Sequence, residues 1–137
     1  SDWRTLSAVE WRYLLGNSTE RSGKYNSAVT VCGLTNCIVL APDNYTGEIA
    51  NSYDVSTWST AEASGLVCLP SNGSLSNAND ILEVINEGTK SFYWSSTGYQ
   101  SHYAYCLAAA DGKLFALDYF NSVRCASHSV RLVKDAN

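Results

Sequence analysis

Thr5-Leu6-Ser7-Ala8-Val9-Glu10-Trp11, near the start of the chain, has the pattern of a helix beginning with a capping box. In such a box the Ser7 hydroxyl accepts a hydrogen bond from the Glu10 main chain, and the Glu10 carboxylate accepts one from the Ser7 main chain. Apolar residues at helical spacing follow, and Gly16 has the residue type that commonly ends a helix. The stretch predicts a helix over residues 8–15.

The rest of the first half alternates short apolar runs with turn residues. Runs at 28–32 and 37–40, separated by a Gly/Asn turn, predict a β-hairpin. A second capping box, Ser59-Thr60-Ala61-Glu62 with Gly65 behind it, predicts a helix of about one to two turns. The apolar residues at 66–70 predict a buried strand.

The second half is dominated by short strands. Residues 80–86 predict a last helical segment, and Asp111-Gly112 is a strong signal for a hairpin turn. The strands predicted around that turn are 92–95, 103–109, 113–119 and 129–134. Together the elements predict an α+β fold with two short helices early and an antiparallel, strand-rich C-terminal half.

Length and composition are those of one globular domain over residues 1–137, with 45% hydrophobic and only 16% charged residues. These values exclude a disordered chain and a coiled coil. Ser, Asn, Tyr and Gly make up 48 of the 137 residues. The same four types are common in turn-rich domains and in adaptable binding surfaces such as antibody loops.

The charge pattern argues against nucleic acid as a partner. The net charge is −4, and neither residues 1–90, with a net charge of −5, nor residues 91–137, with +1, carries the basic stripe that phosphate backbones need. No apolar run is long enough for a membrane span. The sequence has no Met and no signal peptide, which favours a processed product or a domain excised from a larger surface protein.

The chain has five cysteines, and none of them forms the Cys-x-x-Cys pair of a structural zinc site. Cys32 and Cys37 bracket four residues, so they either face each other across the predicted hairpin or act as small buried hydrophobic residues. The spacing alone leaves a disulfide between them open.

Motifs spread along nearly the whole chain resemble one known family. They are, in order, Trp3-Arg4-Thr5-Leu6-Ser7 with Glu10-Trp11 and Leu14-Leu15, then Leu69-Pro70 with Gly73, then Tyr93-Trp94-Ser95-Ser96-Thr97 and Ser129-Val130-Arg131-Leu132-Val133. This order resembles the Fibrobacter succinogenes major paralogous domain family, found in surface proteins of gut Bacteroidetes. The resemblance implies a formylglycine-generating-enzyme-like domain with a C-type-lectin-like fold.

The layout is also similar to the variable proteins of diversity-generating retroelements, in which error-prone copying rewrites chosen codons near the C-terminus. The resemblance places the rewritten segment between Trp94 and Val133, where Tyr, Ser, His, Asn, Cys and Phe are dense. It implies that these side chains form a ligand-binding surface. The candidate ligand-binding residues are Tyr99, Ser101, His102, Tyr103, Tyr105, Phe115, Leu117, Tyr119, Phe120, Asn121 and His128.

Two types of chemistry are disfavoured. The sugar-binding triplet of calcium-dependent lectins is matched only by Ala41-Pro42-Asp43, and no acidic cluster supplies six to eight oxygen ligands, so we expect no metal and no cofactor. Nucleophilic catalysis would need a pair such as Cys125–His128 or Cys106–His102. Two surface histidines in a polar segment account for the same residues, so we expect no enzymatic activity.

The aromatic residues of the second half divide into faces by strand alternation. Tyr103 and Tyr105 share one face of their predicted strand, and a second row of side chains shares one face of the next predicted strand. One of these two rows is expected to lie in the core. That second row is Phe115, Leu117 and Tyr119. Trp94 is predicted to lie in the core beneath the binding surface.

The expected function is therefore non-enzymatic ligand binding or adhesion through residues of about 99–128, at the cell surface or outside the cell. A lipoprotein, a pilus tip and a phage particle all fit this location. The expected partner is a protein or glycan on another cell or on a phage. A fixed-sequence structural or tip domain of a bacterial surface lipoprotein or pilus is the alternative, and an enzyme of the formylglycine-generating type is a distant third.

Overall fold

The computed structural model describes residues 2–15, 24–78, 81–115 and 121–135, and for residues 77, 78, 81 and 115 it describes the main chain only. The helices of this part are α1 (Ala8–Leu15) and α2 (Val55–Ala63). The strands are β1 (Trp3–Thr5), β2 (Tyr25–Val31), β3 (Leu34–Leu40), β4 (Ser52–Tyr53), β5 (Val67–Leu69), β6 (Ser74–Ala78), β7 (Ile81–Ile85), β8 (Lys90–Tyr99), β9 (Tyr103–Ala110), β10 (Lys113–Phe115), β11 (Asn121–Val123) and β12 (Leu132–Lys134).

Helix α1 has the predicted bounds and the predicted cap. The Glu10 main chain donates to Ser7 Oγ at 3.3 Å, and the Ser7 main chain donates to Glu10 Oε2 at 2.8 Å. Arg4 makes an ion pair with the same carboxylate at 2.6 Å and lowers the pKa of Glu10 to about 2. Gly16, predicted to end the helix, lies outside the described residues.

The strands form two four-stranded sheets and two pairs. One sheet has the order β4-β2-β3-β5; in the other, β8 pairs with one edge of β9, while β10 and β11 pair with the other. The pairs are β6-β7 and β1-β12. All strand pairs within the described part are antiparallel except β2 with β4. The α+β class, with two short helices and mostly antiparallel strands, is confirmed.

Strand β3 lies at the centre of the molecule, because both of its faces are buried. Ile38 and Leu40 belong to a core cluster that α1 and the β8–β9 pair complete, whereas Cys37 and Val39 belong to a second cluster under α2. Strand alternation sends successive side chains to opposite faces, so one strand contributes to both clusters. The first cluster supports the end of the fold that carries the candidate binding residues.

The start of α2 differs from the prediction. The Asp54 carboxylate accepts a hydrogen bond from the Thr57 main chain at 2.8 Å, and Thr57 Oγ1 accepts one from the Asp54 main chain at 2.9 Å. This pair caps the helix, so Ser59 lies inside it. Gly65 does follow its end, with a positive φ of 89°. Asp54 and Thr57 make the same pair of reciprocal side-chain to main-chain hydrogen bonds that the predicted serine–glutamate capping box would make. They lie earlier in the chain than the predicted box.

The predicted β2–β3 hairpin is confirmed, but its turn is at Cys32-Gly33. Val31 pairs with Leu34, and Cys37 pairs with Val29. Cys32 is therefore exposed in the turn while Cys37 is buried, and both thiols are free. The two cysteines do not face each other. The turn consists of Cys32 and Gly33 only, so β3 begins at Leu34 and Cys37 lies three residues further along that strand.

The helix predicted at 80–86 is wrong. Residues 81–85 form β7, which pairs with β6 in an antiparallel hairpin that places Leu75 opposite Val84. Leu82 and Val84 are separated by Glu83, a period of two that fits a strand better than a helix. The strand predicted at 66–70 is confirmed as β5, but of its residues only Leu69 is buried, while Val67 and Cys68 are half-buried.

The predicted Asp111-Gly112 turn is confirmed between β9 and β10. Both residues have positive φ, 50° and 73°, as a two-residue hairpin turn with the twist of its strands requires. Lys113 pairs with Ala110 directly after the turn. Within the described ranges, no helix is long and apolar enough to cross a bilayer.

Candidate functional site

Three tyrosines share one face at the distal end of the β8–β9 hairpin. Tyr99 on β8 lies directly opposite Tyr103 on β9, and Tyr105 follows two residues later on the same face. On the other edge of β9, β11 places Asn121 opposite Tyr105 and Val123 opposite Tyr103. We call these five residues the tyrosine patch.

The patch is a partly exposed continuation of the core. The rings of Tyr99 and Tyr105 lie 5.1 Å apart at a tilt of 57°, and both side chains are half-buried. Tyr103 is 37% exposed and Val123 42% exposed. Rigid aromatic rings with one face packed and one face in solvent lose little entropy on binding, which makes them effective contact residues.

Arg12 of α1 borders the patch. Its guanidinium carbon lies 5.6 Å from the centre of the Tyr105 ring, within the range of a cation–π contact. Arg12 stands four residues after buried Ala8 and next to buried Trp11, so helical periodicity directs it toward the sheet. The helix thus holds one flank of the patch in place.

A register shift in the hairpin gives the patch its shape. Trp94 pairs with Cys106, but the next pair is Gly98 with Ala104, so β8 bulges in between. The buried Ser95 hydroxyl donates to the Tyr105 carbonyl at 2.8 Å at this point. This bond satisfies a carbonyl that the interrupted ladder leaves free, and it fixes the main chain beneath the Tyr105 ring.

The main chain around the hairpin turn is anchored from the reverse face. Arg124 Nε donates to the Tyr103 carbonyl at 3.0 Å, and the Arg124 main chain donates to the His102 carbonyl at 2.9 Å. Ser101 and His102 are exposed in this turn. These hydrogen bonds hold the main chain of the turn in place beside the patch.

His128 lies on the opposite face of the β8–β9 sheet, apart from the patch. Its ring stacks on Phe92 at 4.9 Å and lies 4.5 Å from the ring centre of Trp94. Neither ring nitrogen has a hydrogen-bond partner of normal geometry among the described residues. Burial lowers the pKa of His128, and the neighbouring main chain of Ser127 offsets only part of this effect.

The structure corrects the placement of Trp94. Tyr93 and Ser95 point into the first core cluster or toward it, so Trp94 between them faces the other way and is half-buried under His128. It belongs to neither core cluster. The serines and threonine after it do make hydrogen bonds that hold the scaffold together. Thr97 Oγ1, for example, accepts a hydrogen bond from the Ala8 main-chain N–H at 3.0 Å.

Four of the candidate binding residues have no described side chain. Phe115 is described by its main chain on β10 only, and the other three lie outside the described residues. Those three are Leu117, Tyr119 and Phe120.

The geometry disfavours the two cysteine–histidine pairs as nucleophilic sites. Cys106 is fully buried in β9, and burial raises the pKa of its thiol to about 12, whereas a nucleophile needs a thiolate. His102 lies in the exposed turn, four residues before Cys106. Cys125 is exposed, and His128 has no hydrogen-bond partner that would join the two.

Acidic, histidine and cysteine side chains do not gather into a group of three or more that would hold a metal ion anywhere in the described ranges. The patch offers phenol hydroxyls, an amide and ring faces, and Arg12 at its border adds a guanidinium. These groups bind by stacking and hydrogen bonding.

Sequence reasoning missed two residues of this region, Arg12 and Val123. A charged residue within the buried stripe of α1 was a detectable signal for Arg12. Val123 had no such signal, since strand β11 was not predicted and its pairing with β9 is a long-range contact.

Comparison of the chain with known protein families, with curated proteins and with solved structures found no match. The tyrosine patch is accordingly the feature on which a functional proposal depends.

Proposed function

We propose that this chain is a non-enzymatic binding domain that uses the tyrosine patch and the adjoining turn, Ser101 and His102, to hold a protein or glycan at a cell or phage surface. The observation that carries the proposal is the alignment of Tyr99, Tyr103 and Tyr105 on one partly exposed face. Tyrosine is a dominant contact residue in protein interfaces, and its ring also stacks on the apolar faces of sugars.

The rigidity of the patch supports this proposal. The Tyr105 main chain is held by Ser95, the Tyr103 main chain by Arg124, and the Tyr105 ring by Arg12. Side chains already fixed in their bound geometry lose less entropy when a ligand arrives. A binding surface made of small polar and aromatic residues can also change sequence without disturbing the core clusters below it.

The resemblance to the Fibrobacter succinogenes major paralogous domain extends the proposal. On that basis the chain has a C-type-lectin-like fold and is a variable protein of a diversity-generating retroelement, displayed outside the cell. The confirmed α+β class with antiparallel strands is compatible with such a fold. The location of four candidate residues on one face, Tyr99, Tyr103, Tyr105 and Asn121, favours a diversified binding surface.

A binding experiment tests the patch directly. The labelled chain is applied to a glycan array and to intact gut bacterial cells, and Y99S/Y103S is compared with wild type. We expect wild type to bind a discrete set of glycans or cells. The variant is expected to lose at least tenfold in affinity at unchanged melting temperature, since both hydroxyls and rings lie at the partly exposed end of the hairpin.

The matched control is L82S/V84S on the β6–β7 hairpin, where Leu82 is 68% and Val84 53% exposed. These residues share one face with Leu75, which is 45% exposed, and this apolar face favours the alternative of a structural module that packs against a neighbour. Loss of binding in L82S/V84S together with retention in Y99S/Y103S would refute the tyrosine patch as the binding surface and place the contact on the β6–β7 hairpin.

The retroelement part of the proposal has a separate test. Sequencing the DNA around the gene is expected to reveal a near-copy of the stretch encoding residues 94–133 beside a reverse transcriptase gene. The two copies should differ at adenines, and the mismatched codons should include those of the tyrosine patch. Absence of such a copy would leave a fixed binding domain and refute diversification.

A further inference from the structure

An apolar cleft lies away from the tyrosine patch, where α1 meets the β3–β5 edge of the first sheet and strand β12. Its volume is about 390 Å³. An engineered apolar cavity of about 150 Å³ holds one benzene, so this cleft has room for a body of two rings. Leu6, Leu14, Leu69 and Val133 are among the apolar residues that line it.

A buried hydrogen-bond donor lines this apolar cleft. Trp11 is fully buried, and its indole Nε1–H has no acceptor in the described part of the chain. A buried donor without a partner costs roughly 1–3 kcal/mol, so native proteins seldom retain one without a partner, water or ligand.

A cation also lines the cleft. Arg131 is exposed beside β12, and its guanidinium makes no ion pair and no hydrogen bond with the described residues. The hydrogen bond with Cys37 raises the pKa of Cys68 and burial raises the pKa of Tyr93, and the charge of Arg131 offsets only part of each shift. Lys134, a second basic residue of the lining, makes a long contact of 3.8 Å with Asp2.

We propose that this cleft is a second binding site, independent of the tyrosine patch, for a hydrophobic carboxylate. The apolar body fills the space between Leu6, Leu14 and Leu69. The carboxylate stays at the solvent side with Arg131, where its charge keeps part of its hydration.

The test uses two isosteric probes, 2-naphthoate and the neutral 2-naphthamide, titrated into the whole chain by calorimetry. We expect naphthoate to bind about threefold to fivefold more tightly, the range of a partly exposed ion pair. Arg131→Gln should remove that preference and leave naphthamide binding unchanged. Lys113→Gln, which removes an exposed cation far from the cleft, should keep it. Equal affinities of wild type for both probes would overturn the carboxylate assignment.

A second variant places a negative charge at the entrance. Leu132 is 52% exposed and lines the cleft, so Leu132→Glu should weaken naphthoate binding more than tenfold while the chain stays folded. Leu82→Glu, on the exposed β7 hairpin, is the matched control. Naphthoate binding that survives Leu132→Glu, or no binding by wild type, would overturn the site.

Nuclear magnetic resonance locates the ligand independently of affinity. The chain has four tryptophans, and their indole N–H signals are assigned from single Trp→Phe variants. Naphthoate is expected to shift the Trp11 signal and to leave that of Trp58, which packs against the second core cluster, unchanged. A shift of Trp58 alone would place the probe elsewhere and contradict the proposal.

Discussion

Neighbouring residues on β8 show how finely strand alternation divides the environment. Tyr93 is 3% exposed, packs against Trp11 at a ring distance of 6.4 Å, and donates its hydroxyl to the Pro70 carbonyl at 2.8 Å. Trp94, the next residue, is only half-buried and contacts His128. Residue size alone therefore does not predict which aromatic side chain supports the core.

The first prediction concerns these two tryptophan environments. Trp94→Ala should lower the free energy of unfolding by about 2 kcal/mol, less than the roughly 3–5 kcal/mol expected for a fully buried tryptophan. Trp11→Ala, at 0% exposure, is the matched comparison and should cost the larger amount. Urea denaturation measures both, and an equal loss in the two variants would contradict this assignment of Trp94.

At the scale of elements, the segment after β11 pairs with the free edge of β8 through a parallel bridge between Tyr93 and Ser129. The Ser129 main chain donates to the Phe92 carbonyl at 2.9 Å, and the Trp94 main chain donates to the Ser129 carbonyl at 2.9 Å. These bonds position the preceding residue, His128, over the rings of Phe92 and Trp94. The imidazole is held in an apolar stack that favours its neutral form.

The second prediction is a loss of stability at mildly acidic pH. The pKa of His128 is lowered in the folded chain, whereas the unfolded chain has the ordinary value near 6.5. Below about pH 6.5 the unfolded state binds a proton that the folded state does not, so stability falls as pH falls, by at most about 1.4 kcal/mol per pH unit. Above that pH the contribution is present in full.

The measurement is the melting temperature between pH 7.5 and pH 5 for wild type and two variants. His128→Phe keeps a ring in the stack and should flatten the decline. His102→Phe, in the exposed turn, should retain it. A decline that is unchanged in His128→Phe would show that another group is responsible.

At the scale of the whole molecule, the two ends of the described chain close the fold together. Strand β1 pairs with β12, and Arg4 on β1 contacts both Glu10 of α1 and Asp135 after β12, at 2.6 Å and 2.9 Å. Val133 packs against the first core cluster. The β1–β12 pair, which we call the closing pair, thereby covers the first core cluster beneath α1. Its strand β12 also forms one wall of the apolar cleft.

The third prediction tests whether this closing pair belongs to the cooperative unit. Val133→Asp places a charge against the core cluster and should lower the free energy of unfolding by about 2–4 kcal/mol. Leu132→Asp, one residue away and 52% exposed at the entrance of the cleft, should stay within about 0.5 kcal/mol of wild type. A separate early transition in Val133→Asp, with the main transition unmoved, would show that the pair unfolds by itself.

Features that depend on a few adjacent residues were predictable from the sequence. The Ser7–Glu10 box determines α1, because its hydrogen bonds join residues three apart. Asp111-Gly112 determines its turn, because few other residue pairs accept positive φ at both positions. The alternation of Tyr103 and Tyr105 determines that they share a face, whichever strand pairs with them.

Features that depend on distant segments were decided by the tertiary structure alone. The bulge between Trp94 and Gly98 brings Tyr99 opposite Tyr103, and α1 brings Arg12 to the Tyr105 ring. Likewise, the segment after β11 places His128 on the opposite face of the sheet, although His128 lies near the patch residues in sequence. Such contacts arise from the packing of one element on another, and that packing depends on the burial of the whole core, which no local pattern encodes.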